Sequence, residues 1–231
     1  MSRKGGQRWR MYNAIMQIIH QDDQILIINK PANLPVLPDG WDKEAPYLVK
    51  LLEEQYEKVW VVHRIDKITS GIIIFALTAE AHRSLNIQFE KHRVEKKYHA
   101  IVNGNPPWEE KVTKFPLRVN VGHKHRTMVD NKNGVRSETR LKVLKRNQAT
   151  TLVEAMPMTG RTHQIRVHLY ALGFPLLGDI LYSAPETDLI ARPALHAYSL
   201  SFTHPVSNQP MTCTAPYPDD FKQALNKKSQ S

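Results

Sequence analysis

VWVVHRIDKITSGIIIFAL, residues 59–77, decides the fold class. Two β-rich apolar runs, 59–63 and 71–77, enclose a short loop of charged and hydroxylated residues, which predicts two strands joined through a polar connection. Upstream, 24–29 is another β-branched run, stopped by Lys30-Pro31 and a loop holding Pro35, Pro38 and Gly40. Between these runs, Leu48, Leu51, Leu52 and Tyr56 recur at spacings of three and four behind Pro46, predicting an amphipathic helix over 46–57. Downstream, Thr78 is placed to cap a helix over 79–92 that buries Ala81, Leu85 and Phe89.

The remaining elements extend the same pattern. Strands are predicted over 97–104, 137–145, 149–156 and 195–203; in the second of these Thr139, Leu141 and Val143 alternate with Arg140 and Lys142. Gly160-Arg161-Thr162 introduces a helix that ends at Gly173, and Pro218 starts a short last one. Residues 106–134 are irregular and read as an insertion loop or hairpin. Strands in close succession, with isolated helices and no regular βαβ alternation, define an α+β fold on a largely antiparallel mixed β-sheet flanked by helices. No repeat or long linker divides the chain, so the expected organisation is a basic N-terminal extension (1–23), one catalytic-size domain (24–224) and a frayed tail (225–231).

Composition narrows the partners. In 231 residues, 32 Lys+Arg against 22 Asp+Glu give a net charge of +10, and 41% hydrophobic residues suffice for a core. The single cysteine, Cys213, excludes an intramolecular disulfide and fits a reducing compartment; with no secretory signal apparent, the chain reads as cytoplasmic. The apolar run 72–77 is far too short to span a bilayer, so no membrane partner is expected. Arg3, Lys4, Arg8 and Arg10 stand without an acid in the first twelve residues. In 118–146, nine cations (Arg118, Lys124, Arg126, Lys132, Arg136, Arg140, Lys142, Lys145, Arg146) face only Asp130 and Glu138. Both stretches suit a polyanion, and the acidic stretch 39–57 suits the opposite side.

Three clusters hold chemistry. In the first, Asp66 stands between Arg64 and Lys67 in a loop walled by apolar strands. Such a carboxylate serves as a nucleophile or merely caps its turn, and composition leaves both open. The second is Lys96-Lys97-Tyr98-His99, where Tyr98 is equally readable as an ordinary strand aromatic. The third is 160–169, where His163 and Arg166 share one helix face and Ile165 and Leu169 another. Eleven histidines invite a metal, but His163 and His168 are five apart and do not stack on a helix face, and His123 and His125 sit in a basic loop. With no HExxH, CxxC, GxGxxG or GxxxxGK[ST] pattern, neither metal nor cofactor is expected.

These residues carry a family resemblance. HRIDKITSG at 63–71 resembles the HRLDxxTSG signature of the RluA family of pseudouridine synthases, and GRTHQIRVHL at 160–169 resembles its later signature. NKPANLPVLP at 29–38 is similar to the family's lysine-proline loop, while LLGD at 176–179, LHAYSLSFTHP at 195–205 and the terminal APYPDDF follow in order, so the likeness covers about 24–222. Ile65 stands where leucine is usual and Asn33 where glycine is common. The small RNA-binding S4 domain that precedes many relatives has no room in the first 23 residues.

The resemblance implies an RNA pseudouridine synthase without a cofactor, acting as a monomer on ribosomal or transfer RNA. The reaction breaks the N1–C1′ bond of uridine, turns the uracil and joins C5 to C1′, with no redox change and no group lost. Asp66 then matches the catalytic aspartate, Tyr98 the tyrosine that stacks on uracil and assists proton removal from C5, and Arg166 the basic partner that keeps the aspartate charged. Arg64 resembles the residue that fills the space left by an extruded base; Arg161 and Ile165, the latter an apolar wall, are the other uridine-binding candidates. Two rival classes stand beside this reading. A noncatalytic RNA-binding or ribosome-assembly factor on the same fold has no need of Asp66, Tyr98 and Arg166 together, and a metal-dependent nuclease or glycosidase lacks the second carboxylate or ligand set it requires.

Overall fold

The computed structural model describes residues 16–38, 45–122 and 126–226. The cationic stretch ahead of Met16, residues 39–44, Lys124 with its flanking His123 and His125, and residues 227–231 lie outside the described residues. In chain order the elements are β1 (Gln17–Gln21), β2 (Ile25–Lys30), α1 (Leu48–Leu52), β3 (Trp60–Val61), β4 (Ser70–Ala76), α2 (Ala79–Glu90), β5 (Glu95–Asn103), β6 (Glu110–Thr113), β7 (Leu117–Val121), β8 (Arg126–Val129), β9 (Thr139–Arg146), β10 (Thr150–Pro157), α3 (Gln164–Ala171), a 3-10 turn (Ile180–Tyr182), β11 (Leu195–Thr203), β12 (Pro210–Thr214) and α4 (Asp219–Asn226). They build two compact units. The first takes the described residues up to Glu95 with Ala197–Pro216, and the second takes Lys96–His196 with those from Tyr217 onward.

In the first unit the strands run β1-β2-β4-β11, with β12 beside β11 and β3 also pairing β4; β1–β2, β2–β4, β3–β4 and β11–β12 are antiparallel. Leu26 and Ile28 of β2 and Ile73 and Phe75 of β4 join Leu48, Val49, Leu51 and Leu52 of α1 in one buried cluster. The alternate residues Ile25, Ile27, Ile72 and Ile74 are fully buried too, and α2 packs against β3 and β4, so the sheet is covered on both faces. At roughly 1.5–3 kcal/mol per buried aliphatic side chain, this makes firm ground for the loop that leads from β3 into β4.

Two local expectations need correction. The periodicity over 46–57 predicts three turns of helix, but only Leu48–Leu52 is helical, and Gln55 N–H already bonds back three residues to the Leu52 carbonyl at 2.9 Å. Glu53, Glu54 and Glu57 crowd the carbonyl end of the helix, where anions are repelled; Tyr56 nevertheless packs on the cluster and donates to Gln21 Oε1 at 2.8 Å. In α2, Thr78 Oγ1 accepts from Ala81 N–H at 3.2 Å as expected. The third buried side chain of that helix is Gln88 rather than Phe89: its amide donates to the Thr203 carbonyl at 2.8 Å and accepts from Thr203 N–H at 2.9 Å. Strand β1, left in the N-terminal extension by sequence, pairs with β2 through a turn built by Asp22, whose Oδ1 accepts from Gln24 and Ile25 N–H. Burial pushes the Asp22 carboxyl up, but the hydrogen bonds from His20, these amides and His204 outweigh it and leave the pKa at about 2.

In the second unit β5-β10-β9-β6 is antiparallel throughout, and β7 and β8 form a separate two-stranded ribbon. Ala100, Val102, Leu141, Val153 and Ala155 pack against Ile165 and Leu169 of α3. On the alternate positions Ile101 and Leu152 pack with Phe221 and Ala224 of α4. β9 buries Thr139, Leu141 and Val143 and exposes Arg140 and Lys142, the alternation its sequence predicts. Within 106–134 the hairpin is found as β7–β8, while β6 was unannounced: Glu110, Lys111 and Val112 are all exposed and leave no apolar period. α3 closes as expected at Gly173 (φ +88), with Gly173 N–H on the Tyr170 carbonyl and Phe174 N–H on the Leu169 carbonyl, both at 2.9 Å.

Candidate active site

In the first unit the chemistry sits in the loop between β3 and β4. Asp66 is half-buried, Arg64 and Lys67 on either side are exposed, and Ile65 is buried beneath them. Thr69 N–H donates to the Asp66 carbonyl at 3.0 Å and closes the turn. Three anchors fix this loop. At its start the His63 ring stacks on Phe89 with centroids 4.7 Å apart, and His63 Nε2 accepts from Ile74 N–H at 3.2 Å. At its end Gly71 has φ +115, and a Cβ there would lie 2.2 Å from the Ala197 carbonyl oxygen in β11, so glycine alone fits.

The third anchor is Lys30, which sequence offered only as part of a resembling block. Its side chain is fully buried, and its ammonium donates to the carbonyls of Pro31 (2.8 Å), Leu34 (2.8 Å) and Lys67 (3.1 Å). One cation thus ties the 31–34 turn to the residue that follows Asp66, and hydrogen bonds from a charged donor are the strong kind. Asn33, where the family pattern has glycine, adopts φ +64, the left-handed conformation that asparagine tolerates best among residues with a side chain.

In the second unit Tyr98 lies on β5 opposite Ala155, half-buried in the cluster that also holds Ile165, so these two expected residues share one apolar surface. Arg166 is almost fully buried. Its Nε donates to Asp179 Oδ2 at 2.7 Å and its Nη2 to Asp179 Oδ1 at 2.8 Å, while its guanidinium carbon lies 4.9 Å from the Tyr182 ring centre. His163 does not share a helix face with Arg166; it precedes α3 in a left-handed conformation (φ 55) and is linked to the arginine through Tyr182, whose hydroxyl lies 2.9 Å from His163 Nδ1. Arg161 is exposed on the turn into the helix.

That turn is held by Gln164, whose hydrogen-bonding capacity is met from four directions. Its Oε1 accepts from Thr159 Oγ1 (2.7 Å) and Arg161 N–H (3.0 Å), and its Nε2 donates to the Glu138 carbonyl and Thr139 Oγ1, both at 2.9 Å. His168 completes the chain: Nε2 donates to the Phe115 carbonyl at 3.1 Å, so Nδ1 of the neutral ring accepts from the Thr139 hydroxyl at 2.9 Å. Burial lowers the His168 pKa against the opposing pull of the Phe115 carbonyl. A second buried histidine, His99, contacts the Tyr217 hydroxyl through Nδ1 and Glu154 through Nε2; burial lowers its pKa as well. Sequence assigns no role at the site to Asp179, Tyr182, Gln164 or Thr139, the last of which reads only as an alternating position of its strand. LLGD marked Asp179 without a role, and nothing marked Tyr182.

The cations of 118–146 divide in two. Arg118 pairs with Asp130 (3.3 Å), Lys142 with Glu110 (3.2 Å) and Arg146 with Glu109 (2.6 Å). Arg126, Lys132, Arg136, Arg140 and Lys145 are exposed and form no ion pair among the described residues. Among the described residues no three His, Cys, Asp or Glu side chains converge as a metal-holding group, and no helix is long and apolar enough to cross a membrane.

With this geometry in hand, comparison with known proteins is specific. Residues 24–171 match the family model described as RNA pseudouridylate synthase. The dual-specificity RNA pseudouridine synthase RluA of Escherichia coli (strain K12) is 37% identical over 201 residues, covering 86% of this chain and 92% of that protein. Ribosomal large subunit pseudouridine synthase C of Vibrio cholerae serotype O1 is 38% identical over 221 residues, covering 93% of this chain and 70% of that one. The solved structure of human RNA pseudouridylate synthase domain containing 4 matches with a TM-score of 0.78 at 25% identity, over 96% of this chain and 95% of its own. The chain belongs to the RluA family of RNA pseudouridine synthases and, like its relatives, is an isomerase.

Proposed function

We propose that this enzyme converts specific uridines of structured ribosomal or transfer RNA to pseudouridine, with Asp66 as the catalytic carboxylate and no cofactor. The observation that carries the reading is the anchored 63–71 loop, in which a buried ammonium, a glycine-only contact and a stacked histidine hold one half-buried aspartate between two exposed cations. Asp66 attacks ribose C1′ or initiates a glycal route, and either breaks the N1–C1′ bond and frees uracil from the ribose. Tyr98 stacks on the base and, after C5 has bonded to C1′, assists loss of the C5 proton while N1 gains one. Arg166 is the cationic partner of the aspartate, and Ile165 the apolar wall.

A base inside a stem is out of reach of a loop-borne carboxylate, so the uridine is extruded at a cost of a few kcal/mol. Arg64, exposed beside Asp66, fills the space it leaves, and Arg161 contributes to holding the nucleotide. Phosphates are held by the exposed cations of 126–145, so recognition depends on the shape of the RNA as well as its sequence. The enzyme acts in the cytoplasm, a reading supported by the lone cysteine, and as a monomer, as the family resemblance implies.

The test uses transfer and ribosomal RNA transcripts carrying tritium at uridine C5. Wild-type protein releases tritium at one site and Asp66→Asn does not, while RNA affinity changes by less than about twofold, since the carboxylate serves chemistry rather than phosphate binding. Pseudouridine formed by Asp66→Asn would remove the assignment. Binding without tritium release by the wild type would instead favour a noncatalytic RNA-binding factor. Activity lost to a chelator and restored by Mg²⁺ would count against the cofactor-free route. Pseudouridine mapping in cellular RNA with and without the protein names the target.

A further inference from the structure

Arg166 is gripped from two sides by residues to which the reading above gives no role. Asp179 takes the Nε/Nη2 edge of the guanidinium with bonds of 2.7 and 2.8 Å, and the Tyr182 ring lies 4.9 Å from its central carbon. Both partners are as deeply buried as the arginine. A bidentate carboxylate fixes the plane of a guanidinium, and an aromatic face beneath adds attraction normal to that plane. A further acceptor is therefore directed to the Nη1 side.

Tyr182 is itself tied down. Its hydroxyl accepts from Thr127 N–H at 3.0 Å, donates to the Thr127 carbonyl at 3.1 Å and lies 2.9 Å from His163 Nδ1. Thr127 is on β8, next to the exposed Arg126 of the cationic hairpin. A single phenol thus joins three things: the hairpin, the turn that leads into α3, and the face of the arginine.

We propose that Asp179 and Tyr182 are positioning residues of uridine isomerisation, which together set the orientation of the Arg166 guanidinium and make that orientation depend on the β7–β8 hairpin being docked. The proposal rests on the role given to Arg166 above. Neither residue touches substrate; each acts through the arginine, Asp179 by fixing its edge and Tyr182 by carrying its face and linking it to β8.

The experiment is a double-mutant cycle with Arg166→Lys, read as the single-turnover rate at saturating RNA and as RNA affinity, on a transcript that the wild-type enzyme converts. Asp179→Asn is expected to slow the reaction roughly a hundredfold, as misplacement of a reacting partner does, and Tyr182→Phe, which keeps the ring but removes the tie to Thr127, about tenfold. Affinity for RNA stays within about twofold in both, because the phosphate-binding cations are untouched. In the Arg166→Lys background each further substitution costs less than about threefold, since residues acting through one group are not additive. Equal losses in both backgrounds, or wild-type rates for Asp179→Asn and Tyr182→Phe, would overturn the proposal. If Asp179→Asn does not fold, Tyr182→Phe decides alone, as it deletes one oxygen. Full activity of Arg166→Lys by itself would refute the role of Arg166 directly, an outcome distinct from failure of the positioning argument.

Discussion

Replacing Lys30 by methionine tests the most concentrated feature of the first unit. The substitution keeps an unbranched side chain of similar length and removes the ammonium, so the carbonyls of Pro31, Leu34 and Lys67 lose a charged donor. Each such bond is worth ~1.5–3 kcal/mol, the relief of burying a cation offsets several kcal/mol, and the net loss of stability is about 3 kcal/mol. For a chain of this size each kcal/mol moves the midpoint by ~2–4 °C, so Tm falls by about 6–12 °C. Because the Lys67 carbonyl belongs to the residue after Asp66, the single-turnover rate of pseudouridine formation should fall further than RNA affinity. Thermal unfolding followed by circular dichroism gives the first quantity and tritium release the second. A variant that melts within about 2 °C of wild type and turns over at full rate would show that the ammonium neither supports the fold nor sets the loop.

Other substitutions probe the remaining supports. Gly71→Ala drives a methyl to 2.2 Å from the Ala197 carbonyl at a φ that L-residues avoid, so it should lower the denaturant midpoint markedly; an unchanged midpoint would refute the close approach. Stability should fall with acid: His168 and His99 take protons in the unfolded chain near 6.5 but stay neutral to lower pH when folded, so their contribution is complete above 6.5 and is lost as pH drops below it; a flat profile of urea midpoint against pH would contradict this. Thr139→Val strands His168 Nδ1, takes one of the two acceptors of Gln164 Nε2, and should cost about 2 kcal/mol in urea unfolding; a neutral result would mean that this network is not needed. Changing Arg126, Lys132 and Arg136 to alanine should weaken RNA binding and flatten its dependence on salt by about one unit of slope for each phosphate no longer neutralised, whereas an unaltered slope would place this hairpin off the RNA.

The parts of the fold that sequence disclosed are those whose signal is local. β2, β4 and β11 are dense β-branched or apolar runs, β9 alternates, Thr78 caps, and Gly173 ends a helix. What escaped has the opposite character. β1, β6 and β12 are short and partly exposed, so their pairing is decided by neighbouring strands rather than by their own pattern. The overlong helix at 46–57 shows the converse, since the apolar period continues to Tyr56 while the regular helix stops at Leu52, where acids follow at its carbonyl end. At the site, Asp66, Tyr98 and Arg166 were named through resemblance, which composition alone left undecided. Their supports were hidden for a physical reason: Lys30, Gln164 and Tyr182 act largely through main-chain atoms of other segments, and such partners leave no trace in residue spacing.

The three acceptors of Lys30 are all peptide oxygens, which every amino acid supplies. The exposed residue 67 can therefore drift in chemical identity without loosening the clamp, provided the backbone keeps its path, whereas buried Leu34 stays apolar for the sake of the core. A library randomised at 64 and 67, with 30 held fixed, should yield folded enzymes whose preference among RNA sites varies while the carboxylate between them stays in register.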